Sequence, residues 1–121
     1  VFEPNSRIED APPVTIPLDA PAMTLCEMGE QDWFAPDLQE GTAYVLKAWT
    51  EGTIFGLVEM RLYRYDADRT WFGQVAYGAN QADGVEIRYT AGDPGGGWLL
   101  GITHVGPEPT IVYRLTMDEA Q

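Results

Sequence analysis

Apolar and polar residues alternate with a period of two along much of this chain, the pattern of β-strands that bury one face. In residues 42–50, Tyr44, Leu46 and Ala48 share one parity, and Lys47 marks the other parity as facing outward. Successive strand residues point to opposite sides of a sheet. We therefore expect a strand here, with the Tyr44 parity in a core.

The run of residues 54–65 divides in the same way. Val58, Met60 and Leu62 lie on one parity, whereas the other parity carries charge, including Arg61. The charged parity should face solvent.

Shorter apolar runs between Gly-, Pro- and Asp-containing turns complete a regular series of strands. We predict them at residues 14–18, 22–26, 29–34, 70–72, 85–89, 98–102 and 111–115, with polar turns at 66–69 and 80–84. The nearly continuous apolar run 98–102 should be a central strand. About eight or nine strands at this spacing, with almost no helical period, predict an all-β fold: a two-sheet antiparallel β-sandwich, jelly-roll-like.

The stretch of residues 29–34 passes from acidic groups into two large aromatic residues, Trp33 and Phe34. Adjacent strand residues point to opposite faces, so one ring should anchor the core and the other a second surface. The carboxylates should lie at the rim.

The 121 residues fit one domain. Residues 1–13 are rich in proline and carboxylates and are predicted to be a linker or lead-in, because proline removes ladder donors. Residues 14–117 are expected to form the sandwich, and residues 118–121 a frayed tail. The chain starts with neither Met nor a basic signal region, so we expect it to be covalently part of a larger chain.

Charge narrows the range of partners. The chain carries 19 acidic and 7 basic residues, a net charge of −12. Nucleic acid and anionic lipid surfaces should be repelled, and the chain has no apolar run long enough to insert into a membrane. Cys26 is the single cysteine, so no disulfide forms within the chain.

Catalysis is not predicted. The chain has one serine, Ser6, one histidine, His104, and one cysteine, Cys26, and none of them lies in a nucleophile or metalloprotease motif. His104 is interpreted as a strand-end residue. The glycine run at residues 95–97 lacks the Lys and following helix of a phosphate loop and is interpreted as a hairpin.

Outward-facing aromatic residues are the candidate binding groups. Trp49, Tyr63 and Tyr65 fall on parities that charged residues mark as exposed. A strip of such rings could stack on a polysaccharide or hold an extended extracellular protein. The alternative is that the rings pack beneath a loop or against the second sheet.

Several short motifs, taken in order, resemble one known module, the bacterial pre-peptidase C-terminal domain. They are Glu3-Pro4-Asn5, Gly29-Glu30-Gln31-Asp32-Trp33-Phe34, Leu38, Gly41, Tyr44-Val45-Leu46, Met60-Arg61-Leu62-Tyr63 followed by Asp66, Gly97-Trp98-Leu99-Leu100, and Tyr113-Arg114-Leu115. Two positions depart from the family pattern: Ser6 replaces a common Asp, and Arg64-Tyr65 interrupts the passage into the Asp turn.

The resemblance implies a non-catalytic accessory domain of an exported bacterial hydrolase, secreted or at the cell surface, similar to the collagen-binding modules of clostridial collagenases. The alternative is a structural or interaction domain of a larger bacterial surface protein with no ligand of its own.

Calcium is the cofactor that the resemblance implies, because some members bind it where the lead-in meets the sandwich. The matching positions are Glu3, Asn5, Glu30 and Asp32, whose oxygens are of the kind that Ca²⁺ prefers. Alternatively, Glu3 and Asn5 belong to a solvated linker, and Asp32 caps its own turn.

Overall fold

The computed structural model describes residues 11–19, 23–25, 31–50, 58–66, 72–81, 84–92, 96–104 and 111–120. Regular structure within these ranges is entirely β, which confirms the predicted fold class. The strands are β1 (Pro13–Val14), β2 (Leu18–Asp19), β3 (Met23–Leu25), β4 (Gln31–Pro36), β5 (Ala43–Thr50), β6 (Val58–Tyr65), β7 (Phe72–Tyr77), β8 (Ala79–Gln81), β9 (Gly84–Thr90), β10 (Gly97–His104) and β11 (Ile111–Glu119). No helix in the described ranges is long and apolar enough to cross a membrane.

Two sheets form the sandwich. The first has the order β1-β4-β10-β6-β7, and the second has the order β2-β11-β5-β9-β8, with β3 also paired to β11. Every strand pair is antiparallel except β1 with β4. Strand β10 lies in the middle of the first sheet, as its continuous apolar sequence predicts.

The core lies between the sheets and is formed by the predicted inward parities. Tyr44, Leu46 and Ala48 of β5 are buried. Met60 and Leu62 of β6 are fully buried in the same cluster. Alternation along these two strands therefore assigned the inner face correctly.

The N-terminal segment differs from the prediction of one strand over residues 14–18. Val14 ends β1, which pairs with β4 in the first sheet, whereas Leu18 begins β2, which pairs with β11 in the second. Pro17 lies between them and has no N–H to donate, so a single ladder cannot continue through it. Pro13, assigned to the lead-in, is already part of β1.

The C-terminal end also differs, because β11 continues through residues that were predicted to be a tail. Asp118 pairs with Val45 and Glu119 with Tyr44. Ala120 N–H then donates to the Ala43 carbonyl at 2.8 Å. The partner strand β5, which local sequence does not reveal, keeps this polar end ordered.

The strands beside the two predicted polar turns, 66–69 and 80–84, pair with each other. Strands β6 and β7 are antiparallel, with Tyr65 opposite Phe72 and a β-bulge opposite Leu62 and Tyr63. Strands β8 and β9 pair as well, so Asn80 and Gln81, predicted as turn residues, belong to a strand.

Candidate functional site

The outer face of the first sheet is built around Trp33. Phe34 points inward and is fully buried, so the adjacent Trp33 points outward, as predicted for this pair. Its ring lies across Gly101 of the neighbouring strand, where a Cβ atom would come within 2.8 Å of the indole. Because Gly101 has no side chain, the Trp33 ring can pack closely over it, and Trp33 is only 8% exposed.

Tyr63 and Tyr77 extend this surface across the sheet. The Trp33 and Tyr63 ring centroids are 5.7 Å apart with planes tilted by 45°, a favourable aromatic geometry. The Arg61 guanidinium carbon lies 5.2 Å from the centre of the Tyr77 ring, within cation–π range. Strand register explains the order, because Gly101 is opposite both Trp33 and Arg61, and Arg61 is opposite Tyr77.

Arg61 is held in place by its neighbours. Its Nη2 lies 3.1 Å from Glu59 Oε1. Hydrogen bonding with Tyr63, together with the Glu59 carboxylate and Tyr77, raises the pKa of Arg61 above its ordinary value even though burial acts in the opposite direction. The guanidinium is therefore positively charged at neutral pH.

Tyr65 lies at the end of the same outward parity. It lines a groove of about 500 Å³ between the ends of β4, β6 and β10. The loop after β4, which forms one wall, is fixed by a bond from Gln39 N–H to the Tyr44 hydroxyl at 2.7 Å. We call Trp33, Arg61, Tyr63, Tyr65 and Tyr77 the aromatic face.

Trp49 is not part of the aromatic face. It lies on the outward parity of β5 in the second sheet, opposite Arg114 and beside Gly84. Of the three predicted ligand-binding residues, the structure therefore brings together Tyr63 and Tyr65 and places Trp49 on the other side of the sandwich. The alternation of apolar and polar residues predicts whether a side chain faces the core or the solvent, but it does not predict which of the two sheets contains the strand.

Arg61 and Tyr77 were not among the predicted site residues. Arg61 lies on the same parity of β6 as Tyr63, and this pattern could have identified it as a site residue. Its charge was used only to decide which parity faces solvent. Tyr77 is 49% exposed. Its position opposite Arg61 depends on the β-bulge, which the sequence does not reveal.

A buried polar group joins the two sheets at one end of the core. The Tyr113 hydroxyl of β11 donates to Asp32 Oδ2 of β4 at 2.6 Å. Asp32 is 1% exposed, so it is not at the rim as predicted. Thr50, opposite Tyr113 in the ladder, is buried beside this pair.

Only one of the four predicted calcium ligands can be placed. Asp32 offers a buried carboxylate, whereas Glu3, Asn5 and Glu30 lie outside the described residues. The described ranges contain no group of three or more His, Cys, Asp or Glu residues that could hold a metal ion. Since Ca²⁺ takes six to eight oxygen ligands, the described residues alone do not make a calcium site.

His104 is the last residue of β10, in line with its interpretation as a strand-end residue. It is fully buried, and neither ring nitrogen has a hydrogen-bond partner in the part of the chain that the structure describes. Ser6 and Cys26 lie outside that part.

Comparison with known proteins identifies the fold. No protein-family model and no curated protein matches the chain. A solved structure, the pre-peptidase C-terminal domain of a collagenase from Bacillus anthracis, aligns with 94% of this chain and 100% of that one, with a TM-score of 0.62 and 15% sequence identity. The chain has the fold of a pre-peptidase C-terminal domain.

The predicted resemblance is thus confirmed in the fold. A second structure, a Glycosylation Associate Protein (Gap123) complex from Streptococcus agalactiae, has a TM-score of 0.51 and 16% identity over 71% of this chain and 26% of that one. The similarity therefore involves only about a quarter of that chain.

Proposed function

We propose that this chain is a non-catalytic accessory domain of an exported bacterial hydrolase, acting outside the cell, and that its aromatic face binds an extracellular polymer. The observation that carries the proposal is the solvent-facing row Tyr63, Arg61 and Tyr77, in which Tyr63 packs against the nearly buried Trp33. The fold shared with a domain of a collagenase supports the accessory role.

The charge on the aromatic face suits a polymer of low charge. The chain has a net charge of −12, yet the ionic groups beside Tyr63 and Tyr77 are Arg61 and the adjacent Glu59, which pair with each other. The carboxylates Asp37 and Glu40 line the groove at the Tyr65 end of the face. The rings can stack on sugar rings or pack against the side chains of a fibrous protein. Exposed aromatic residues and arginine are enriched among residues that dominate binding energy.

The chemistry of these groups favours binding over bond cleavage. A guanidinium that stays protonated cannot act as a general base. We therefore expect no hydrolysis of peptide or glycan substrates by the isolated domain.

Pull-down experiments on insoluble chitin, cellulose and fibrillar collagen test the proposal. We expect at least one of these polymers to retain the domain. The substitutions Tyr63→Ala, Tyr65→Ala and Tyr77→Ala should each weaken retention about fivefold, because an aromatic contact contributes about 1 kcal/mol.

Trp49→Ala is the matched control, since it removes an outward ring from the second sheet and should leave retention unchanged. Retention that depends on Trp49 and not on Tyr63 would contradict the assignment of the face. Lack of retention on all three polymers would favour the alternative, a structural domain of a larger surface protein.

A further inference from the structure

Strand β7 is an open edge next to the aromatic face. Among the strands that the structure describes, it is the last of the first sheet and pairs only with β6. Its six residues are Phe72-Gly73-Gln74-Val75-Ala76-Tyr77, with no charge and no proline. Natural proteins usually protect an edge strand with a charged residue, a proline or short length, because unpaired backbone groups attract other strands.

The other sheet edges in the described ranges are protected in these ways. Strand β1 has two residues and begins with Pro13. On the second sheet, β2 has two residues and β8 has three. Strand β7 is therefore the long, uncharged edge in a chain that is otherwise rich in charge.

The backbone of Tyr77 faces this open edge. Gly78 N–H donates to the Met60 carbonyl at 2.7 Å, which makes Met60 and Gly78 a hydrogen-bonded pair. Bonded and non-bonded pairs alternate along an antiparallel ladder. The next pair, Arg61 and Tyr77, is therefore non-bonded, so the N–H and carbonyl of Tyr77 point away from β6.

The β-bulge at Val75 partly protects the strand, since a bulge twists an edge. It lies in the middle of β7, however, and Ala76 and Tyr77 beyond it pair regularly with Leu62 and Arg61. The Tyr77 end is therefore the part of the edge that can accept a further strand.

We propose that β7 binds an extended polypeptide segment, which adds a strand to the first sheet beside Tyr77. Only a polypeptide backbone supplies N–H and carbonyl groups at the spacing of this ladder, and such strand addition is a known mode of peptide recognition. Alternate side chains of the segment would lie next to Tyr77 and Arg61, so apolar residues are expected at every second position. The remaining positions should be neutral or basic, because the domain has a net charge of −12. The same charge opposes pairing with a second copy.

The probe is an array of 12-residue peptides in which Lys or Thr alternates with Val, Ile or Tyr, with Asp-for-Lys versions as controls. We expect binding to the Lys-containing peptides and at least tenfold weaker binding to the Asp versions. The strongest binder is then added to ¹⁵N-labelled domain, and hydrogen exchange of the Tyr77 amide should slow at least tenfold.

Two substitutions at one position separate strand addition from ring contact. Tyr77→Ala and Tyr77→Pro both remove the ring, but only proline removes the N–H that faces the open edge, a place where proline is tolerated. We expect Tyr77→Pro to weaken peptide binding at least fivefold more than Tyr77→Ala. If Tyr77→Pro does not fold, hydrogen exchange of the Tyr77 amide in the unsubstituted domain still tests whether a strand is added.

Absence of peptide binding, or an unprotected Tyr77 amide in the complex, would overturn the proposal. So would protection of Tyr77 by self-association without peptide, observed as dimers in sedimentation. If Tyr77→Ala and Tyr77→Pro weakened peptide binding equally, strand addition would be contradicted. If Tyr63→Ala lost polymer retention in the same set of experiments, the proposed function would still hold.

Discussion

At the scale of single residues, Gly101 shows how an absent side chain shapes a surface. Trp33 points to the outer side of the sheet and is nevertheless nearly buried, because the indole lies flat over Gly101 and against Tyr63. The sequence predicts that Trp33 and Phe34 take opposite faces. It does not predict the contact with Gly101, since that depends on the register of two strands far apart in the chain.

The substitution Gly101→Ala should destabilise the domain by about 1–3 kcal/mol, the usual cost of adding a methyl group to a packed site. The new Cβ would lie 2.8 Å from the Trp33 ring, so the indole must move. Urea unfolding measures the loss, and tryptophan fluorescence should change with it. Gly92→Ala is the control, because a Cβ atom there meets nothing within 4 Å. Equal stability of the two variants would contradict this packing.

At the scale of elements, the hydrogen bond between Tyr113 and Asp32 connects the two sheets through the core. Tyr113 belongs to β11 and Asp32 to β4, and both side chains are buried. Removing the donor of a buried hydrogen bond is costly, because it leaves a buried carboxyl oxygen without that donor.

Tyr113→Phe should therefore lower the free energy of unfolding by about 1.5–3 kcal/mol. Urea denaturation at neutral pH is the measurement. Tyr89→Phe, a partly buried tyrosine that packs on the core, should change stability by less than about 0.5 kcal/mol. A loss in Tyr113→Phe no larger than that in Tyr89→Phe would show that this bond does not hold the sheets together.

The sequence predicted strands correctly where the local alternation of residues determines them. It failed where the bounds or the sheet of a strand depend on a partner strand distant in sequence. The inward parities of β5 and β6 follow from alternation alone. The division of residues 13–19 between two sheets, and the continuation of β11 to Glu119, depend on which strands lie alongside. Strand partners also decide which sheet a strand joins, so the sequence wrongly grouped Trp49 with Tyr63 and Tyr65. Trp49 lies on β5 in the second sheet, whereas the two tyrosines lie on β6 in the first.

At the scale of the whole molecule, the fold was predictable from regular strand spacing and from a series of short motifs. The calcium site stays a prediction. If it forms, saturating Ca²⁺ should raise the melting temperature by several degrees, because a hundredfold excess over Kd adds about 2.7 kcal/mol to the folded state.

Thermal melts with millimolar calcium and with chelator test this prediction. Asp32→Asn should abolish the rise, whereas Asp37→Asn, in the exposed loop after β4, should leave it intact. A melting temperature that responds neither to calcium nor to chelator would show that the lead-in is held without metal.

The position of β11 in the second sheet has a consequence for the order of events during synthesis. This strand comes last among the described strands, yet it lies between β2 and β5 and brings Tyr113, Leu115 and Met117 into the core. A chain that emerges N-terminus first therefore leaves one edge of β5 without its partner strand until β11 has been made. Contacts this distant in sequence form slowly. The second sheet is therefore incomplete until residues 111–119 have left the ribosome.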